Sequence, residues 1–285
     1  GLTLDLFKKD NLRIATIYAT ISYLYFFFWE VFMRFRKSIL ALAAIGVCSS
    51  AAAHDFWVNA NNGNALTATI GYGHAFPSPE VIPAERVKLF EPLAVLKKDG
   101  SKTVLTPTSP NYQYESKKLE AGNYILAGQY KPTFWSKDTQ NKWHMDGTRQ
   151  TVQNVASCSL TSMHAKTIIQ VGSAQDAFVT QPSGQALEIV PLTHPSTIKA
   201  EQPFKIQVFA NGKPVKRAQV VGTFDGFLKD KHAFSGTTDL EGVIDVVALK
   251  PGQWMLKATY SQPYHDTKVC DEEERYATLT FNVMP

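Results

Sequence analysis

Apolar and polar residues alternate along this chain in short runs broken by Gly, Pro, Asn and Asp, and no segment keeps a helical period through three turns. The alternation predicts strands over 66–72, 87–96, 102–106, 124–130 and 165–171. Further strands are expected over 187–192, 204–209, 215–223, 243–249, 254–260 and 277–283. Asp99-Gly100, Gly122-Asn123, Asn211-Gly212 and Pro251-Gly252 supply turns between them. Strands at this spacing imply an all-β chain of two immunoglobulin-like or transthyretin-like β-sandwich domains, 54–180 and 186–285, joined by a linker within 172–184. The stretch 131–161 shows no clean period and reads as loop with room for a short helix. The acidic run Asp271–Glu274 reads as a solvated loop.

Residues 14–32 form a dense apolar stretch of about the ~20 residues that a bilayer span requires. A retained membrane anchor competes here with a start at Met33. From Met33 the chain runs through Arg34, Arg36 and Lys37 into the apolar segment 38–48 and ends on Ala51, Ala52 and Ala53. Basic head, short apolar body and Ala-x-Ala site in that order spell a secretory signal peptide over 33–53. Residues 1–32 are then an upstream extension. Cleavage after Ala53 would export the protein to the periplasm with His54 as its first residue. Cys48 lacks the small residue before it that lipid attachment wants, and leaves with the signal.

Of 29 basic and 25 acidic residues, 6 and 3 precede His54, leaving 23 and 22 and a net charge of +1. No basic stripe accompanies that balance, so nucleic acid is excluded as a partner. In an oxidising compartment Cys158 and Cys270 read first as a disulfide, with free thiols or a thiolate ligand as alternatives.

An amino-terminal histidine is a ready-made chelate. Its α-amine has an ordinary pKa of about 7.7–8.0, so a divalent metal displaces that proton near neutrality, and amine and imidazole close a ring on one ion. His74, in the turn Gly71-Tyr72-Gly73-His74, is the best partner, because flanking glycines allow close backbone approach. His144 and His164 lie in or beside the polar, aromatic-rich middle and are further candidate ligands. His194, His232 and His265 read as structural or surface residues. Nitrogen ligands suit nickel, cobalt, copper and zinc alike, so ligand type does not name the metal. No Gly-x-Ser-x-Gly elbow, His-Glu-x-x-His pair or phosphate-cradling glycine loop occurs.

Several short motifs carry a resemblance across the chain. They include Ala53-His54-Asp55-Phe56-Trp57-Val58, Gly73-His74-Ala75-Phe76, Leu187-Glu188-Ile189-Val190-Pro191-Leu192, Asn211-Gly212-Lys213-Pro214-Val215, Thr238-Asp239-Leu240-Glu241-Gly242 and Pro251-Gly252-Gln253-Trp254. Together these resemble a bacterial family long catalogued as a domain of unknown function and regarded as the periplasmic component of cobalt/nickel uptake systems. The carboxyl half is also similar to transthyretin-like, carboxypeptidase-regulatory sandwiches. The resemblance implies binding of nickel or cobalt in support of a membrane transporter of the energy-coupling-factor type, with His54 and His74 as its motif positions; on that reading the protein captures and hands over an ion and is no enzyme. Two other classes stay open: a copper histidine-brace oxidative enzyme, and a metal-free sandwich that binds carbohydrate or protein.

Overall fold

The first strand, β1 (Asp55–Asn62), buries Phe56, Trp57 and Val58 in succession, which marks a strand covered on both faces. It pairs antiparallel with β2 (Leu66–Gly73), from Asn62 opposite Leu66 to Asp55 opposite Gly73. The computed structural model describes residues 54–108, 112–229 and 231–285; the expected extension and signal peptide over 1–53 lie outside the described residues.

Short strands follow: β3 (Ala94–Lys97), β4 (Lys102–Val104), β5 (Thr106–Thr108) and β6 (Gln113–Ser116). Two long strands, β7 (Gly122–Asp138) and β9 (Val155–Val171), flank the three-residue β8 (Trp143–Met145). The carboxyl half contributes β10 (Glu188–Pro191), β11 (Phe204–Ala210), β12 (Lys213–Pro214), β13 (Gln219–Phe224), β14 (Phe234–Thr237), β15 (Val243–Val246), β16 (Gly252–Pro263) and β17 (Glu272–Val283).

The architecture is an all-β sandwich. Among the described residues a nine-stranded sheet runs β14-β13-β16-β17-β9-β7-β3-β4, with β8 on β7. Sheet β1-β2-β6-β5 covers its amino-terminal part, and Phe56, Ile70, Tyr72, Leu126, Tyr130 and Ala165 fill the space between. Strands β10, β11, β12 and β15 cover the carboxyl-terminal part around Trp254, Ile206, Val220 and Leu279. Each half thus has its own apolar core, while the parallel pairing of β17 with β9, Glu272 opposite Ser159 through Thr280 opposite Thr167, carries one sheet through both.

β1 is held across its open edge. Thr278 and Thr280 of β17 donate their hydroxyls to the carbonyls of Phe56 and Val58 at 2.6 and 2.8 Å. Asp55 meets Lys257 at 2.6 Å, and Asn59 accepts from Gln253 at 2.7 Å. Buried backbone acceptors are satisfied in this way without a neighbouring strand, which anchors the chain immediately after His54.

Several sequence expectations change, among them the turn read at Gly71-Tyr72-Gly73-His74, whose glycines lie within β2, and the strand over 215–223, which begins at Gln219. The strand expected over 87–96 is a 3-10 turn, Ala84–Leu89, followed by β3, because Pro92 lacks the N–H that a continuous ladder needs. The supposedly irregular 131–161 is mostly strand: β7 runs through Asp138 and β9 begins at Val155. A bulge between Tyr130 and Thr133, at Pro132, shifts the alternation by a step and hides the strand from a period-two reading. The acidic run is not a solvated loop, since Glu272–Glu274 open β17 and pair with β16 and β9. Cys158 and Cys270 form the expected disulfide.

Candidate metal centre

The β1–β2 register explains why two distant histidines meet. Asp55 faces Gly73, so one step further along the same ladder His54 and His74 stand opposed, with ring centroids 4.1 Å apart. The ring of His54 lies flat on Tyr72, centroids 4.4 Å apart and planes inclined by 8°. That stack restrains the imidazole before any ligand arrives.

The chain then turns through Phe76, Pro77 and Pro79 and returns Glu80 to the same spot, where its N–H donates to the carbonyl of Tyr72 at 2.8 Å. Glycine at position 73 makes room: a Cβ there would stand 3.1 Å from the backbone nitrogen of Glu80. Glu80 Oε1 lies 2.6 Å from His74 Nδ1 and accepts the His74 backbone N–H at 3.1 Å. Its second oxygen is 3.2 Å from His54 Nε2.

One carboxylate therefore spans both imidazoles. A ligand atom from each of the three residues falls within 4.8 Å of the others, a separation that one ion at the usual ~2.0–2.2 Å from nitrogen or oxygen donors brings together with small side-chain shifts. The side chains of His54, His74 and Glu80 are 26%, 19% and 43% exposed, so the cluster opens to solvent.

The electrostatics favour ligation. Burial pulls the pKa of His54 below its ordinary value and the neighbouring His74 adds to this, while Glu80 opposes. A hydrogen bond from His74 holds the Glu80 carboxyl below the usual range. Neutral imidazole and ionised carboxylate are the forms that bind metal. Below the histidines, Arg86 donates to Tyr72 Oη at 3.2 Å and lies 5.1 Å over the ring of Trp135.

Residues 51–262 match the family model described as "Domain of unknown function (DUF4198)". The chain belongs to this family. No curated protein matches the DUF4198 chain. Among solved structures it is similar to a biofilm associated protein BSP domain at 11% identity and a TM-score of 0.19, over 80% of this chain and 29% of that one. The D0-D1 domain of intimin matches at 12% identity and a TM-score of 0.21, over 81% of this chain and 98% of that one. A native alpha-2-macroglobulin from Escherichia coli, spanning domains MG0-NIE-MG1, matches at 8% and 0.20, over 82% and 72%.

Of the four candidate ligands read from the sequence of this DUF4198 protein, the structure brings together His54 and His74 and not His144 or His164. His144 sits on β8, where its Nε2 is 2.8 Å from Asp138 Oδ2 across the β7–β8 hairpin. His164 is 3% exposed in the middle of β9, its Nε2 3.2 Å from Ser162 Oγ. Burial pushes its pKa down to about 4, with Arg275 contributing, which fixes it as a neutral core residue. It does share with His54 the walls of a crevice of about 10 Å³, together with Lys257, Tyr276 and Thr278. His194 binds Asn123 and Ser196 at 2.8 and 2.7 Å, the structural role expected of it.

Glu80 is the member that sequence reasoning missed. The available signal was a carboxylate in Pro77-Ser78-Pro79-Glu80, a proline-bracketed return directly after the histidine turn.

Proposed function

We propose that this DUF4198 protein is a periplasmic carrier of a divalent transition metal, nickel or cobalt, that supports uptake by a membrane transporter of the energy-coupling-factor type. The convergence of His54, His74 and Glu80 at an open surface carries the reading. Two borderline nitrogen donors, one carboxylate oxygen and no sulfur suit divalent first-row ions, and few donors with open positions suit capture and release rather than permanent storage. Export with cleavage after Ala53 would make the α-amine of His54 a donor beside its Nδ1, once the ring turns that atom rather than Nε2 towards Glu80.

Divalent copper binds such donors more tightly than nickel in general, so selection for nickel or cobalt rests on geometry and supply. The decisive experiment titrates secreted protein, its amino terminus verified by mass spectrometry, with nickel, cobalt, copper and zinc in turn. One-to-one nickel or cobalt binding that collapses in His54→Ala and His74→Ala supports the proposal. No binding of any divalent ion, or binding unchanged in both variants, sinks it.

A further inference from the structure

Resting on that metal reading, we infer that the site takes its ion as a complex with a small carboxylate chelator, and that Arg86 holds the chelator's free carboxylate. Three protein donors leave at least one position open on a four-coordinate ion and more at higher coordination. The open side faces solvent. Something must fill those positions, and either water or a co-ligand does.

Charge points to an anionic co-ligand. A divalent ion with the single carboxylate of Glu80 leaves one positive charge in the cluster, and Arg86 adds another close by. Arg86 lies one tyrosine away: its Nη1 donates to Tyr72 Oη, and the same tyrosine ring is stacked on His54. Among the described residues it also lies over the face of Trp135. No carboxylate of the described residues pairs with Arg86, whereas Arg149 and Arg275 are each matched with an acid, Asp271 and Glu273. A half-buried guanidinium, oriented by two aromatic side chains and paired with no acid of the described residues, presents the planar fork that recognises a carboxylate in two-point contact. A di- or tricarboxylate ligates the metal with one end and reaches the guanidinium with the other.

The test uses the secreted protein, nickel and citrate. Native mass spectrometry of nickel-loaded protein with citrate is expected to show the ternary protein–nickel–citrate species, and calorimetry to give one citrate per nickel-loaded site. Arg86→Gln should keep one-to-one nickel binding and weaken citrate binding to the loaded protein at least about tenfold. Arg86→Lys, which retains the charge and stem but not the fork, should fall between, and a thermal melt of both variants verifies folding. Equal citrate affinity in wild type and both variants, or a nickel-loaded protein that takes up no citrate, overturns the chelator proposal and leaves the metal site standing. Loss of nickel binding by the wild type removes both.

Discussion

His54 and His74 stand opposed across the end of the β1–β2 ladder, their rings 4.1 Å apart, and Glu80 bridges them with two different oxygens. Each histidine is placed by backbone pairing, but the carboxylate is placed by a loop. Glu80→Gln keeps the size and the loop while removing the anionic donor. Nickel affinity should fall at least about tenfold, since even second-shell changes at metal sites cost about 10–100-fold. Stability should hardly change, because Glu80 is largely exposed. Calorimetric titration beside a thermal melt separates the two effects; unaltered affinity would remove Glu80 from the site.

Gly71 and Gly73 both lie at the end of β2 and should fail differently. Gly71 is opposite Trp57 on β1, and an added Cβ would fall inside the indole of a fully buried tryptophan. Gly71→Ala should cost at least about 2 kcal/mol in urea unfolding, as an overpacked core does. At Gly73 the nearest atoms that the added carbon meets belong to Glu80, at 3.1 Å. Gly73→Ala should leave stability nearly intact and lower metal affinity a few-fold by displacing the carboxylate. Equal stability loss in the two variants would contradict this division.

That His54 and His74 belong together was legible in the sequence, and alternation gave β2, but the strand that pairs with it was not: β1 was not among the expected strands, and Gly71 and Gly73, read as a turn, lie within β2. Glu80 was not legible: it reaches the site through a loop whose return has no periodic signature. His144 and His164 misled for a related reason. The bulge at Pro132 broke the period of β7, so a region of paired strand looked like a functional loop. In the structure one of these histidines serves a hairpin and the other the core. Continuity of one sheet through both halves was equally hidden, since parallel pairing of β9 with β17 joins segments remote in sequence and leaves no local mark.

His164 makes stability depend on acid. Its folded pKa, near 4, lies below the ordinary 6.5, so the unfolded chain binds the proton more readily and stability is lost as pH falls from about 6.5 towards 4. A displacement of that size corresponds to roughly 3 kcal/mol for a side chain this deeply buried. Above pH 6.5 the group contributes no slope. His164→Gln keeps a partner for Ser162 and should flatten the decline between pH 6.5 and 4 in urea melts. A variant with the wild-type slope would place the acid sensitivity elsewhere.

The disulfide gives the last prediction. Cys158 stands near the start of β9 and Cys270 just before β17, a sequence separation of 112, and both are buried. Beside it Arg149 clasps both oxygens of Asp271 at 2.6 and 2.8 Å, and Asp271 accepts the N–H of Cys158 at 2.9 Å. Bond and ion pair fasten the same junction, where the parallel ladder between the two halves begins. Closing so long a loop restricts the unfolded chain strongly, so replacing both cysteines by alanine should cost about 3–5 kcal/mol. The surrounding hydrogen bonds persist without the sulfurs, so the folded sheet and the proposed metal site should survive at low temperature with unchanged nickel affinity. Urea unfolding with and without reductant measures the first expectation and calorimetry the second. A loss under about 1 kcal/mol would mean that the native contacts at this junction, rather than the covalent link, hold the two halves in register.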